Sequence, residues 1–469
     1  MKIEFQLNNK NEIIEVDPSR RLLDILRDDF GLKSVKEGCG EGECGACIIL
    51  LDGKAVNSCL ISAGMINGKS ILTLEEFNKT DEYKLIEESF LEAGSVQCGF
   101  CTSGMVMSTA GLLNVNKNPN ETEIKEALSG NLCRCTGYQM IVEGVKLAVE
   151  KMEKEIPLAK SQSRKEEDNY SLGNNAHQIA KSQKIVSKKG EFANTIDEAL
   201  EILDNEEVTI ISGGTDLMVK NAGSSGVKPK FNKQLLFIGN LDQLKKIQLI
   251  DEKIHIGSAV TLNELLMNEN IPEVFKELIS EMASFPTRNL ATIGGNIINA
   301  SPAGDTLPFL YAADAELVLK SKQNERTITI DKFIYGPGKT IIDSNEILYK
   351  IIIPAKSYDI NYYKKAGSRK GMSLSKASFI GMVDFENDKV SDVRIAFGAV
   401  ASTVVRSRDL EKKMIGKTKR EIDSVYFEVV KKYNKLIKPI DDSRSSKSYR
   451  KDVCIRILKE FFGKIIKSK

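Results

Sequence analysis

Eight of the chain's nine cysteines lie between Cys39 and Cys135, and only Cys454 follows them. They form two sets of four. The first is Cys39-x4-Cys44-x2-Cys47, then Cys59 after eleven further residues. A C-x4-C-x2-C…C order is the plant-type 2Fe–2S spacing. Four thiolates must converge on two irons, so the loop has to fold tightly. Gly38, Gly40, Gly42 and Gly45 give it the backbone freedom that lets amides approach the sulfurs. A four-cysteine zinc knot and free structural cysteines are the competing readings, although zinc knots usually pair two short C-x2-C units. The second set, Cys98-x2-Cys101 with Cys133-x-Cys135, suits either an iron–sulfur cluster or zinc by spacing alone. Cys101 opens an apolar helical run, and Cys133 and Cys135 precede a second one. Two helix N-termini there would stabilise an anionic group through their exposed amides. The chain has only two histidines, His177 and His255, which leaves little room for mixed Cys/His zinc sites. In a cytosolic chain, crowded cysteines hold metal more often than they form disulfides.

Two glycine strings offer a different chemistry. In Val208-Thr-Ile-Ile-Ser-Gly-Gly-Thr-Asp-Leu217 an apolar strand runs into Gly213-Gly214 and a helix. Backbone amides there can close on a pyrophosphate, with Ser212 and Thr215 adding hydroxyls. The string lacks the Lys of a phosphate-binding P-loop and is not a G-x-G-x-x-G fingerprint, so an ordinary strand–turn–helix stays open. The second string runs from Arg288 through Gly294-Gly295 to Asp305. Asn296, Asn299 and Asp305 offer polar groups to a ribityl chain and phosphates, although such a residue taken alone is more often a turn residue than a ligand.

These residues need elements to position them. Alternation through Ile3, Phe5, Leu7, Ile14 and Val16 predicts a hairpin, and residues 20–30 have helical spacing. Strands at 47–51 and 54–58 join at Asp52-Gly53. Helices follow near 82–93, 102–114, 121–128 and 138–152. Residues 153–190 are polar and charged, a linker composition. Strands, helices and glycine turns then alternate to about 360. Two strands turn at Asn387-Asp388, and helices near 407–413, 419–435 and 449–463 close the chain. Cys454 falls in the last of these as a core thiol.

The strings GCGEGECGAC, QCGFCTSGM and NLCRCTGYQMI strongly resemble the iron–sulfur part of the molybdenum hydroxylases, the xanthine dehydrogenase and aldehyde oxidase family. The two glycine strings resemble that family's FAD domain, a fold shared with vanillyl-alcohol oxidase. The resemblance implies an α+β multidomain chain. A β-grasp ferredoxin domain at 1–77 and a four-helix 2Fe–2S domain at 78–152 come first. The 153–190 linker, an FAD-binding domain at 191–360 and a small α+β C-terminal domain at 361–469 follow. It implies that Cys39, Cys44, Cys47 and Cys59 hold the cluster nearer the flavin. Cys98, Cys101, Cys133 and Cys135 then hold the one nearer a molybdopterin cofactor, which sits in a large partner subunit and is touched by Gln97. FAD is implied at Ile211, Ser212, Gly213, Gly214, Thr215, Asp216 and Leu217, then at Ala291, Thr292, Gly295, Asn296, Asn299 and Asp305. Leu348 and Lys364 are implied beside the flavin ring. Ser103 departs from the family's usual Pro after Cys-Thr, and a local change at the helix start is expected. With no cysteine between 136 and 453, the extra cluster of some flavin subunits is not expected.

The implied function is electron transfer from the molybdopterin partner through both clusters to FAD, and on to NAD⁺ or another acceptor. Xanthine or purine oxidation is the leading case, and no residue of this chain is needed as general acid or base. A self-contained FAD/ferredoxin-type oxidoreductase and a zinc-stabilised nucleotide-binding module are the alternatives. A formal charge of +2 with no long basic run gives no support to nucleic-acid binding. No apolar run is long enough to span a bilayer, and the N-terminus lacks a signal peptide's apolar core. A cytoplasmic location is therefore expected.

Overall fold

The computed structural model describes residues 1–155, 190–223, 226–369 and 371–468. Most of the predicted linker lies outside the described residues. Two compact units are built from interleaved segments: Met1–Asn194, Glu207–Asn240 and Ala283–Ala291 in the first, and Thr195–Glu206, Leu241–Met282 and Thr292–Lys469 in the second.

The first unit opens with strands β1 (Lys2–Leu7) and β2 (Lys10–Glu15), an antiparallel hairpin turning on Asn8 and Asn9 at positive φ. With β3 (Ile48–Leu51), β4 (Lys54–Asn57) and β5 (Ser70–Leu72) they form one sheet, ordered β2-β1-β5-β3-β4. The helix predicted at 20–30 is α-helical only over Leu22–Asp24 and continues as a wider π turn over Ile25–Asp29. The wider turn lets Leu22, Leu23, Ile25 and Leu26 all bury. Four helices follow, at Asp81–Glu92, Thr102–Val115, Glu121–Ala127 and Gln139–Glu155. The Thr80 hydroxyl caps the first, and Asn120 with Glu123 forms a capping box on the third. Ile86, Phe90, Met105, Leu113 and Val145 lie in their common core.

After the linker, β6 (Gly190–Phe192), β7 (Val208–Ile211) and β8 (Gln234–Phe237) form a parallel sheet ordered β6-β8-β7. Its Ile211, Leu235 and Phe237 are buried in one core with Leu22, Val56 and Leu60 of the N-terminal domain.

The second unit holds an antiparallel sheet of β9 (Ile247–Ile250), β10 (Lys253–Gly257), β11 (Glu316–Lys320), β12 (Glu325–Thr329) and β15 (Ile347–Pro354), ordered β12-β11-β15-β10-β9. Between β12 and β15 lies the small pair β13 (Ile334–Gly336) and β14 (Lys339–Thr340). A second sheet, β16 (Ile360–Ala366), β17 (Ala377–Glu386), β18 (Lys389–Gly398) and β19 (Val405–Arg406), shares a core with helices Lys419–Leu436 and Lys447–Lys467. Cys454 is fully buried in that core. The whole is a multidomain α+β chain with ferredoxin-type and helical cluster domains ahead of the flavin-type part. Among the described residues no helix is long and apolar enough to cross a membrane.

Candidate functional site

The Cys39 loop folds back on its own sulfurs. The Glu41 and Glu43 amides donate to Cys39 Sγ at 3.3 and 3.2 Å, and the Cys39 amide donates to Cys44 Sγ at 3.4 Å. Gly40, Gly42 and Gly45 take φ near +70 to +77°, which aims those amides inward. A β-carbon on Gly38 would lie 2.7 Å from Cys44 Sγ, so the backbone comes as close to sulfur as a side-chain-free residue permits. Among the described residues no three of His, Cys, Asp or Glu are grouped about a single ion. The thiols instead pair two by two: Cys39 with Cys44, and Cys47 with Cys59. The hydrogen bond with Cys44, helped by the inward amides, pulls the Cys39 thiol down to about 5 and pushes Cys44 up. The buried Cys47 is likewise lowered by its bond with Cys59, which rises. Four thiols in one loop, two of them drawn toward the thiolate and two held as thiols by those bonds, fit the donor set that a two-iron, two-sulfide core would need.

The second set sits at helix starts, as its sequence indicates. Cys101 is the N-cap of Thr102–Val115, and Tyr138, at φ 73°, precedes the helix from Gln139. Cys98 pairs with Cys135, and Cys101 with Cys133. Burial pushes Cys101 up to about 12. Burial also opposes ionisation of Cys133, but the Thr136 hydroxyl, 3.2 Å from its sulfur, helps bring that thiol down to about 7. The Cys133 amide donates to Tyr138 Oη at 3.1 Å. A cavity of about 330 Å³ is lined by Cys98, Cys101 and Cys133 with Phe100, Leu132 and Tyr138. Gln97, Cys98 and Cys135 are exposed, among exposed Val96, Phe100, Leu132, Tyr138 and Met140. Ser103 is buried in the first turn of its helix, and the helix starts regularly there.

The two loops touch. The Leu132 amide, next to Cys133, donates to the Cys44 carbonyl at 2.9 Å. Gly104 makes this approach possible, because a β-carbon there would meet the Gly45 carbonyl at 2.1 Å.

Each glycine string forms a strand- or loop-to-helix turn. In the first unit, β7 ends at Ile211, Gly214 turns at φ 68°, and helix Thr215–Ala222 begins. Ser212 Oγ is buried with no partner among the described residues, which suits an acceptor oxygen of a bound group. Asp216 is exposed and paired with Lys220, while Leu217 is half-buried. In the second unit, Thr292 caps helix Ile293–Asn299 by accepting from the Gly295 amide at 3.2 Å. Gly294 lies so close to Ser258 that a β-carbon would meet its carbonyl at 2.5 Å. Asn296 accepts from the Thr306 hydroxyl, Asn299 is half-buried, and Leu348 is buried on β15. Ala291, the last residue of the first unit, is half-buried.

Asp305 is already engaged: Lys365 Nζ donates to it at 2.8 Å and Ser375 Oγ at 2.5 Å, with Lys365 also donating to the Glu281 carbonyl. Lys364, the lysine singled out by motif, is exposed on β16. Its neighbour Lys365 is the buried one and shares a strand face with Tyr363, whose buried hydroxyl has no partner among the described residues. Strand alternation was the signal that separates the two lysines. Taken each by itself, a glycine turn at a helix start, joined in the first unit by the buried Ser212 hydroxyl, suits a phosphate- or polyol-bearing group.

Four family models match the chain: a 2Fe-2S iron-sulfur cluster binding domain over residues 5–73, a 2Fe-2S binding domain over 73–146, an FAD binding domain in molybdopterin dehydrogenase over 190–356, and a CO dehydrogenase flavoprotein C-terminal domain over 361–465. The nicotinate dehydrogenase small FeS subunit of Eubacterium barkeri is 49% identical over 149 residues, 32% of this chain and 95% of that protein. Abscisic-aldehyde oxidase of Arabidopsis thaliana is 29% identical over 100% of this chain but only 39% of its own length. Mouse (Mus musculus) xanthine dehydrogenase/oxidase is 28% identical over 90% of this chain and 36% of its own length. The chain thus spans well under half of these longer relatives. Among solved structures, a chain of carbon monoxide dehydrogenase from Hydrogenophaga pseudoflava aligns with a TM-score of 0.53 and 22% identity, covering 60% of this chain and 96% of that one. A chain of quinoline 2-oxidoreductase from Pseudomonas putida 86 aligns with 0.53 and 19%, covering 61% and 98%. Both share the fold.

Proposed function

The chain belongs to the molybdenum hydroxylases as their joined iron–sulfur and flavin part, and on that premise we propose that it relays electrons from a large molybdopterin-binding partner to NAD⁺ or another acceptor, with xanthine or another purine as the substrate oxidised in the partner. The observation that carries this reading is the pairing of eight thiols two by two, in two loops joined through Leu132 and the Cys44 carbonyl. When bound, the clusters supply single-electron transfer and the flavin supplies the conversion to two-electron delivery.

The residues of this chain then have separate tasks. Cys39, Cys44, Cys47 and Cys59 hold one cluster, and the Glu41 and Glu43 amides soften the charge on its sulfurs. Cys98, Cys101, Cys133 and Cys135 hold the other at two helix starts. Gln97 and the exposed apolar residues around Cys98 offer the face for the molybdopterin-bearing partner. The glycine turns at Ser212–Thr215 and Thr292–Asn296 hold the FAD pyrophosphate and ribityl chain, with Leu348 near its ring. Domain limits of 1–77, 78–152, 191–360 and 361–469, with 153–190 as linker, go with this reading. So does a cytoplasmic location, where crowded cysteines more often hold metal than form disulfides.

Purification from the native source tests the proposal. Iron and sulfide for two clusters, flavin absorbance and a copurifying molybdenum-containing chain are expected, with NADH reducing the flavin. Zinc in place of iron would overturn the relay. Full activity without a molybdenum chain would point to a self-contained oxidoreductase.

A further inference from the structure

We propose that the segment Phe285–Leu290 is a clamp that fixes the spacing between the two cluster-bearing domains, with Arg288 as its locking residue; this rests on the relay reading above. The segment belongs to the flavin-type part of the sequence, yet its side chains are divided between the two cluster domains. Phe285 is buried in the core of the four helices, and Leu290 in the core of the ferredoxin-type domain. Asn289 Nδ2 donates to the Ala55 carbonyl on β4 at 2.8 Å. Asn57 Nδ2 donates both to the Gly42 carbonyl inside the first cysteine loop, at 3.1 Å, and to Thr287 Oγ1, at 3.4 Å.

On the other side, Gly130 stands just ahead of the second cysteine pair. A β-carbon there would meet Ser284 Cβ at 2.7 Å. Arg288 is 1% exposed, and its guanidinium pairs with Glu126 on helix Glu121–Ala127 while bonding the Ala283 carbonyl. Burying a guanidinium is costly unless its partners are in place, and such pairs serve register better than stability. One short helical turn and the serine before it thus reach the first cysteine loop through Asn57 and come within three residues of Cys133 at Gly130. The pairing of Arg288 with Glu126 holds the helical domain at one position.

The test uses the full chain with its clusters loaded and reduced by dithionite. Low-temperature electron paramagnetic resonance reads the magnetic interaction between the two clusters, which depends steeply on their separation. Wild type is expected to give one resolved interaction. Arg288→Met and the milder Glu126→Gln should broaden or abolish it while leaving each cluster's own absorbance intact, and Arg288→Lys should restore it. An unchanged interaction in Glu126→Gln would overturn the clamp, even if Arg288→Met does not fold. Should wild type show no cluster signals, the relay reading fails instead. Hydrogen exchange on the metal-free chain then decides the clamp by itself. Protection of Lys54–Asn57 and of Glu121–Ala127 must fall together in Glu126→Gln, and loss in one segment alone would overturn it.

Discussion

Lys365 and Lys364 are adjacent, and their surroundings could hardly differ more. Lys365 is 2% exposed and bonded to a carboxylate that is itself 8% exposed, while Lys364 faces water. Lys365→Met would leave Asp305 buried with Ser375 as its remaining side-chain donor. Removing one partner of a buried ion pair costs about 3–5 kcal/mol, whereas Lys364→Met should change stability by about 0.5 kcal/mol or less. Denaturant titration of the two variants checks this, and only Lys365→Met should also release flavin on dialysis. The two cysteine loops were legible because their information is local: a spacing of two or four residues fixes which thiols can share a loop. The choice between two neighbouring lysines was not legible from a motif, since it depends on which strand face meets the residues after the second glycine turn. Arg288 was hidden for the same reason, as its partner Glu126 is distant in sequence.

At the scale of elements, turns announced themselves most clearly. Asp52-Gly53 and Asn387-Asp388 both take paired positive φ values, as two-residue hairpin turns require. Less visible was the packing of helix Thr102–Val115, whose Gly104 and Gly111 let it lie directly on the first cysteine loop and on Ala55 of β4. Its apolar run predicts a buried helix without naming the neighbour. The edge of the second sheet gives a pH-dependent prediction. Asp314 follows helix Thr306–Ala312 and is bonded by Arg394 of β18, Arg406 of β19 and Arg408. Burial alone would raise its carboxyl, but Arg406 and the other arginines hold it below the usual carboxylate range. A lowered pKa means that its stabilisation is complete above the ordinary carboxylate value and disappears as pH falls through the lowered one. Asp314→Asn should therefore cost about 1.5–3 kcal/mol at neutral pH, nearer the lower figure because the site is partly exposed. Unfolding curves of variant and wild type should converge as the solution is acidified.

Across the whole molecule, the two units each have their own core. Calorimetry of the loaded chain should resolve two transitions, and stripping the iron should lower one of them while the other keeps its midpoint. A metal that binds only the folded form stabilises the unit that holds it, and the eight cysteines proposed as ligands all lie in the first unit. A single transition that moves as a whole would contradict this. The order of modules was plain from sequence, because cysteine spacing, glycine turns and hydrophobic period change along the chain. How segments are shared between units was not, since Glu207–Asn240 and Ala283–Ala291 join the first unit through buried contacts that no local pattern encodes.

The parallel sheet's place in the ferredoxin-type core has an evolutionary consequence. A β-carbon on Gly64 would fall 2.1 Å from the Phe237 ring, so a larger residue at 64 requires that ring to move or be replaced. The two positions lie in different family modules, yet a larger residue at one calls for an adjustment at the other. Recombination that replaced the iron–sulfur portion with a homologue's would bring a clash with it wherever the incoming residue at 64 was larger. Inheritance of these modules is thus linked by the shape of one aromatic ring, and lineages that exchange them are expected to change both positions together.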